Sequence, residues 1–509
     1  MKLIKILLSR VVVVGLILLF QIGWFLFFLL RLSRYSNLIN ISFTIISILV
    51  VIYIINKNDN PGYKLAWIVP ILVFPLFGGL LYLFMGDKKP AMSMRKKLER
   101  VHLITQPLLH QNETIIKDIE ELDPHVAGQV KYLSHGVGFP VYANTQSQYF
   151  KIGEDNFEVL LEELRKAKHF IFMEYFIVEE GYMWDSIRDI LVEKAKAGLD
   201  VRFMYDDVGC VTLLPYQFYK QLESMGVKCI AFNPFRPIFS VAMNNRDHRK
   251  ITVIDGHTGF TGGINLADEY INRKVRFGHW KDTGIMLKGD GVWNLTLMFL
   301  QMWNAFRPTD TDYTKFRPHT FFKEKFQSDG YVQPYGDSPL DSEVTGENVY
   351  MNIINNATKY LYIFTPYLIT DNEMMTALRL AAKRGVDVRI VTPGIPDKKI
   401  VFRLTQSYYP NLIKAGVKIY EYKPGFLHAK CMACDDIIAT VGTINLDYRS
   451  LYLHFECGVF LYKTSTVLEV KKDILDTIEL SEQVTGKTYK SGFFRDIFKA
   501  ILRLFSPLM

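Results

Sequence analysis

The chain repeats itself. "AKAGLDVRF" at 195–203 recurs as "AKRGVDVRI" at 382–390, 187 residues on, and "MGVKCI" at 225–230 recurs as "AGVKIY" at 415–420, 190 residues on. A long period with a drifting offset marks a duplicated domain with insertions, not a short solenoid repeat. Each copy carries apolar runs of strand length, 169–178 and 360–370, followed by helical spacing at 184–197 and 374–383. Strand-like 200–205, a helix near 216–225 and strand-like 227–232 complete the unit in the first copy. Alternation of this kind predicts α/β architecture. The expected division is a first half at 126–306, a linker at 307–344 rich in Pro, Asp, Gly and Ser, and a second half at 345–509.

Each half holds the same polar constellation. The first runs His248-x-Lys250, then Asp255, then Gly262-Gly263-x-Asn265; the second runs His428-x-Lys430, then Asp435, then Gly442-Thr443-x-Asn445. His to Asn is 17 residues in both. A single H-x-K is commonplace and usually lies on a surface. Two full copies at matched places in a duplicated domain are not a chance event. Residues i and i+2 of a strand share a face, so each His and Lys project together. Lysine supplies fixed charge, and the Asn after the small-residue pair can donate from the next strand, a set suited to a phosphoryl group. Histidine serves as a covalent nucleophile and as a general acid near neutral pH. Asp255 and Asp435 belong to the motifs but lie an odd number of residues from their His, so they read as structural supports. Thr443 replaces the second glycine and keeps a small residue there.

The first 86 residues differ in character. Residues 11–30, 35–56 and 65–86 carry no charge, and the first of them is about 30 Å of helix, one hydrocarbon thickness. The first run is too long for a signal peptide and lacks a small-x-small cleavage site. Pro70, Pro75, Gly78 and Gly79 in the third suit an interfacial or re-entrant piece. Lys2, Lys5 and Arg10 precede the first run, and Lys88, Lys89, Arg95, Lys96, Lys97 and Arg100 follow the third. Placing both basic flanks in the cytoplasm needs an even number of spans. The favoured reading is two transmembrane helices within 1–60, and a hydrophobic segment plus basic linker at 61–125; three spans is the alternative. At the other end, apolar residues between Phe493 and Leu508 recur at helical spacing, with Arg495, Lys499 and Arg503 elsewhere on the helix. That helix suits either a membrane surface or a core, and the membrane surface is the favoured reading.

Composition closes some classes. Lys+Arg 60 against Asp+Glu 52 favours an anionic partner without identifying one. The 22% charged fraction excludes wholesale disorder. Five cysteines are too few for a disulfide scaffold and read as reduced thiols. Cys431-x-x-Cys434 lacks a second ligand pair for zinc and reads as buried strand.

The paired constellations resemble the HKD motifs of the phospholipase D superfamily, from about Asp123 to the end of the chain. The hydrophobic start, "HWKDTG" at 279–284 and the tail "RLFSPLM" make the whole chain similar to two-HKD bacterial cardiolipin synthases. The resemblance implies duplicated phospholipase D-like domains sharing one composite active site, preceded by a membrane region. It implies transfer of a phosphatidyl group between two phosphatidylglycerol molecules, giving cardiolipin and glycerol, with no metal and no other cofactor. His248 is then the nucleophile and His428 the acid/base, although the residues alone do not order them. Lys250, Lys430, Asn265 and Asn445 would hold phosphate oxygens. Asp282, 34 residues after His248, and Glu456, 28 after His428, would each back a catalytic histidine. The implied setting is the bacterial cell membrane, multi-pass, with a cytoplasmic catalytic domain, anionic lipid as partner and no nucleic acid. Competing readings are a hydrolytic phospholipase D or another phosphatidyltransferase, a nuclease with the same catalytic residues, and a non-catalytic membrane scaffold. No stripe of basic residues with interleaved aromatics supports a nuclease, and two intact motifs oppose a scaffold.

No cluster with metal-ligand spacing accompanies the motifs, and two lysines already supply the positive charge an ion would give. Lipid transfer is therefore expected to survive strong chelation. Complete loss, restored by a divalent ion, would overturn the metal-free reading.

Overall fold

Parallel strands need crossovers, and the apolar runs followed by helices supply them. In the computed structural model, which describes residues 37–74, 92–235, 244–327, 329–485, 493–508 and scattered positions between 19 and 82, the two halves build the same sheet twice. The first is ordered Thr145–Phe150, Gly284–Gly289, Thr258–Gly262, Ile251–Ile254, Phe170–Tyr175, Asp200–Asp206, Lys228–Phe232. The second follows the same path with Tyr331–Asp337, His454–Tyr462, Ile438–Gly442, Cys431–Cys434, Tyr360–Phe364, Asp387–Pro393 and Lys418–Tyr422, and adds Ser481–Gln483. In each, the three strands after the central antiparallel pairing run parallel. The central strands are buried along their whole length, as sheets covered on both faces require.

Three cores organise the layers. One lies under the outer helices of the first half, around Trp184 and Phe203, and one under those of the second, around Tyr409 and Leu378. The third lies between the sheets and takes Phe172 from one and Val441, Cys457 and Val459 from the other. The nearly all-apolar helix Val292–Phe306 fills it, with Leu297, Phe299, Leu300 and Trp303 fully buried. The halves are thus joined by a shared hydrophobic core.

The expected linker is part of the second sheet. Tyr331–Asp337 pairs antiparallel with His454–Tyr462 and occupies the place that Thr145–Phe150 takes in the first half. Pro334, Gly336 and Asp337 give the segment a turn-like composition, and an edge strand tolerates the proline. The basic stretch after residue 90 is likewise no free linker, because helix Met92–Thr105 packs on Val292–Phe306 through Met94 and Val101.

The expected first span, 11–30, lies largely outside the described residues. Among the described residues no helix is long and apolar enough to cross a membrane. The second apolar run forms helix Asn37–Asn56, and the third begins with helix Pro61–Val73, capped by Asn60. These two pack on each other through Val50, Ile54, Trp67 and Ile71. Asn60 Nδ2 donates to Asp371 Oδ2 at 3.0 Å, which fastens the hairpin to the second half.

The tail helix, Phe493–Phe505, docks on helix Lys399–Lys414. Arg503 Nε donates to Ser407 Oγ at 3.0 Å, its guanidinium lies 4.9 Å from the Tyr408 ring centre, and Ser506 is buried. Ile497 and Ile501 stay exposed, so one face serves the fold while apolar residues remain outside. Deleting residues 493–509 is expected to lower the melting temperature of the detergent-solubilised protein, because it uncovers Tyr408 and removes the Arg503 bonds to Ser407. An unchanged melting temperature would show that the docking contributes nothing.

Candidate active site

Each motif histidine is delivered by a strand that crosses to the other half. Arg246–Asp247 pairs parallel with the start of His454–Tyr462, and Gly425–Leu427 pairs parallel with His279–Lys281. The next residue in each case is the histidine. His248 N donates to Phe455 O at 3.0 Å, and His428 N donates to Lys281 O at 2.7 Å. Phe455 and Lys281 immediately precede Glu456 and Asp282 in sequence. The backbone ladder therefore sets each imidazole beside a carboxylate of the opposite half.

The side chains complete that pairing. His248 Nδ1 lies 2.9 and 3.0 Å from the two oxygens of Glu456, and His428 Nδ1 lies 2.6 Å from Asp282 Oδ2. The carboxylates are thus exchanged relative to sequence order. Asp282 serves the second-half histidine and Glu456 the first-half one. With Nδ1 facing a carboxylate, Nε2 is left for chemistry.

All members are buried. Burial pushes His248 down to about 3, with Lys250 adding to the effect against the opposing pull of Glu456. Burial and the Lys430 charge hold His428 at about 4. Both imidazoles are therefore neutral near pH 7. Burial is also the main cause that brings Lys250 down to about 8 and Lys430 to about 7, the latter helped by repulsion from Lys250. Burial opposes ionisation of Glu456 and Asp282, but the facing histidines overcome it and keep both carboxyls below their ordinary range. Each lysine donates to the carbonyl of its own histidine, Lys250 to His248 O at 2.6 Å and Lys430 to His428 O. Two N–H groups remain on each for a ligand.

The motif aspartates stand elsewhere. Asp255 sits in the turn after Ile251–Ile254 with φ 49° and accepts from the backbone N–H groups of Lys168, His169 and Phe170 at 2.8, 2.8 and 2.9 Å. Asp435, at φ 53°, accepts from the N–H groups of Thr358, Lys359 and Tyr360 and from the Thr358 hydroxyl. They tie the hairpin turn to the start of the neighbouring strand, a supporting position on the backbone. Asn265 is committed to the fold, accepting from Ile177 N at 2.9 Å and donating to Tyr270 Oη at 2.8 Å. That leaves one N–H for the phosphate role expected of it. Asn445 is buried with Oδ1 unpartnered.

The glycine-to-threonine difference has a geometric reason. A Cβ on Gly263 would lie 2.0 Å from Asp282 Oδ1. In the second half the Thr443 hydroxyl instead donates to Glu456 and accepts from Cys457 N. Aromatic rings close the walls: Phe176 stands 4.8 Å from His248, and Tyr270, Trp280 and Phe426 lie 5.5–5.7 Å from His428. His454, absent from the sequence reading, faces the same site 5.6 Å from the His248 ring. Its signal was present, since it precedes Glu456 by two residues on one strand. Cys431 and Cys434 are free and buried, on strand Cys431–Cys434.

The cardiolipin synthase, PLD-like domain family matches residues 160–276 and 350–477, and the phospholipase D-nuclease N-terminal family matches 45–86. An uncharacterized protein of Streptococcus mutans is 45% identical over 90% of this chain and 99% of its own length. Cardiolipin synthase 2 of Bacillus cereus is 36% identical over 92% of this chain and 91% of its own, and the cardiolipin synthase of Alkalihalophilus pseudofirmus 34% over 92% and 94%. Phosphatidylserine synthase of Haemophilus influenzae shares the fold at TM-score 0.53, with 14% identity, over 74% of this chain and 97% of that one.

Replacing Asp255 by Asn keeps a residue that tolerates the left-handed backbone but weakens three charge-assisted bonds. It is expected to cost about 1–3 kcal/mol of stability while the surviving activity keeps its pH profile. A changed profile at unaltered stability would return Asp255 to the chemistry.

Proposed function

Because the chain belongs to the cardiolipin synthase family of phospholipase D-like proteins, we propose that it transfers a phosphatidyl group from one phosphatidylglycerol to another, releasing glycerol. The observation that carries this is the pair of buried imidazoles, each oriented through Nδ1 by a carboxylate of the opposite half. Two neutral imidazoles with free Nε2 atoms suit a double displacement at phosphorus.

In the first step His248 Nε2 attacks phosphorus. The P–N bond forms, the P–O bond to glycerol breaks, and His428 gives its proton to the departing glycerol oxygen. In the second step His428 takes the proton from a hydroxyl of the incoming phosphatidylglycerol, whose oxygen attacks phosphorus as the P–N bond breaks. Glu456 stabilises the cationic His248 that forms during attack. Lys250 and Lys430 neutralise the phosphoryl oxygens, where charge develops. His428 needs a proton to serve as acid, and the phosphodiester supplies a reason it acquires one: burial and the lysine charges hold its pKa low, and an arriving anion offsets the lysine charges.

The membrane setting rests on separate observations. Ile41, Ile45, Ile48, Leu49, Ile52 and Ile55 of the helix Asn37–Asn56 are each at least half exposed. The exposed apolar row has no charged neighbour on that helix, a surface that suits lipid better than water. On this reading the N-terminal region anchors the protein in the bacterial membrane, with the catalytic halves on the cytoplasmic side where both basic flanks lie.

Purified protein incubated with phosphatidylglycerol is expected to yield cardiolipin and glycerol. Phosphatidic acid as the sole lipid product would make it a hydrolase. His248→Ala and His428→Ala should each lower turnover about a thousandfold or more, and Glu456→Gln or Asp282→Asn by roughly 10²–10⁴. Since Glu456 acts through His248, Glu456→Gln should add little to His248→Ala; full additivity would break the crossed pairing. Lys430, held at about 7 by burial, is charged below that pH and neutral above it. The substrate is an anion throughout, so kcat/KM should fall as pH rises from neutral into the alkaline range. A rise over that range would contradict the role given to the lysines.

A further inference from the structure

His454 has no place in the reaction above. It is only 9% exposed, yet neither ring nitrogen has a hydrogen-bond partner. Buried polar atoms normally have one. Its Nδ1 lies 3.8 Å from Glu456 Oε1, the oxygen that His248 Nδ1 approaches at 2.9 Å. The two imidazoles are tilted at 41° to each other. One ligand atom from each of His248, His454 and Glu456 fits within a span of 4.8 Å.

We infer that His248, His454 and Glu456 form an inhibitory binding site for a divalent transition-metal ion, Zn²⁺ above all. Two imidazoles and a glutamate are a recurrent zinc donor set. An ion at about 2.0–2.2 Å from each donor holds tetrahedral donors roughly 3.3 Å apart. The observed 2.9 and 3.8 Å to Glu456 bracket that separation, and all three donors lie within 4.8 Å of one another, so a turn of the His454 ring toward the other two would close the site. Mg²⁺ and Ca²⁺ prefer oxygen donors and are poorly served by two nitrogens. The partnerless state of His454 is then that of an empty ligand.

Inhibition follows from what the ion displaces. Coordination at His248 Nδ1 sends the proton shared with Glu456 to solvent. Glu456 turns its charge to the ion and no longer stabilises the imidazolium that attack on phosphorus creates. The bound cation also draws electron density from the ring and weakens Nε2 as a nucleophile. Metal-free turnover and metal inhibition are thus two consequences of one cluster, and chelation should preserve or raise activity.

The test uses the full chain in detergent, dialysed against buffered Zn²⁺ and analysed for bound metal. Wild-type protein should hold one Zn²⁺ that His454→Asn lacks. Zn²⁺ should inhibit wild-type lipid transfer at concentrations where Mg²⁺ does not. The inhibitory concentration should rise at least tenfold in His454→Asn, each protein being compared with its own zinc-free rate. Co²⁺ in place of Zn²⁺ should give visible absorption bands of a tetrahedral site in wild type that are missing in the variant. Equal Zn²⁺ binding by His454→Asn, or no Zn²⁺ bound by wild type at inhibitory concentration, overturns the proposal. Should the variant not fold, carbethoxylation of wild type decides: Zn²⁺ must slow labelling of His454, and unchanged labelling overturns the site. The inhibition arm rests on the transfer reaction proposed above. Binding, absorption and labelling do not, so failure of the metal site is distinguishable from failure of that reaction.

Discussion

Two short parallel ladders that cross between the halves hold the active site together. Arg246–Asp247 runs along the start of the strand that carries Glu456, and Gly425–Leu427 runs along the strand that ends beside Asp282. Backbone hydrogen bonds have narrow distance and angle tolerance, so the position of each histidine is fixed relative to the other half, not to its own. The carboxylates then fix ring orientation. The shared core around Val292–Phe306 keeps the two sheets at the separation these ladders need. Neither half alone contains an oriented imidazole.

The same arrangement concentrates positive groups in a dry place. Two lysines and two histidines share two carboxylates among aromatic walls, and burial disfavours the charge of all four bases. Buried ionic groups are weak evidence for stability, because desolvation offsets their attraction. Their presence is better explained by what they await. In the proposed reaction, a phosphodiester anion would relieve the mutual repulsion of Lys250 and Lys430, restore proton affinity to His428 and bring its reacting phosphorus to His248. On that reading, ligand charge would complete the electrostatic arrangement of the site. The motif aspartates contribute by anchoring: by gathering three backbone N–H groups each, Asp255 and Asp435 hold the hairpins from which the lysines project.

The halves are similar but not equal. Gly263 leaves room for Asp282, whereas Thr443 gives Glu456 an extra donor. Glu456 also has His454 near it, and Asp282 has aromatic rings around its partner histidine. The proposed reaction uses one histidine as nucleophile and the other as acid, and such differences would separate the properties of two otherwise equivalent rings.

Local periodicity made much of this legible. The i, i+2 rule put His248 with Lys250 and His428 with Lys430, and the odd spacing of Asp255 and Asp435 set them apart, because strand geometry acts over two or three residues. The repeated segments showed that two like domains exist. The turn-rich Tyr331–Asp337 concealed an edge strand, because strand pairing there depends on a partner more than a hundred residues away. Which carboxylate meets which histidine was likewise beyond the sequence, for spacing along the chain says nothing about a crossing between domains. His454 gained its meaning only when its strand was laid beside Arg246–Asp247. The sequence by itself determined the duplicated α/β chemistry and the residue types at the site; tertiary structure alone decided the crossed pairings, because contacts between distant segments are fixed by packing the two sheets around a common core.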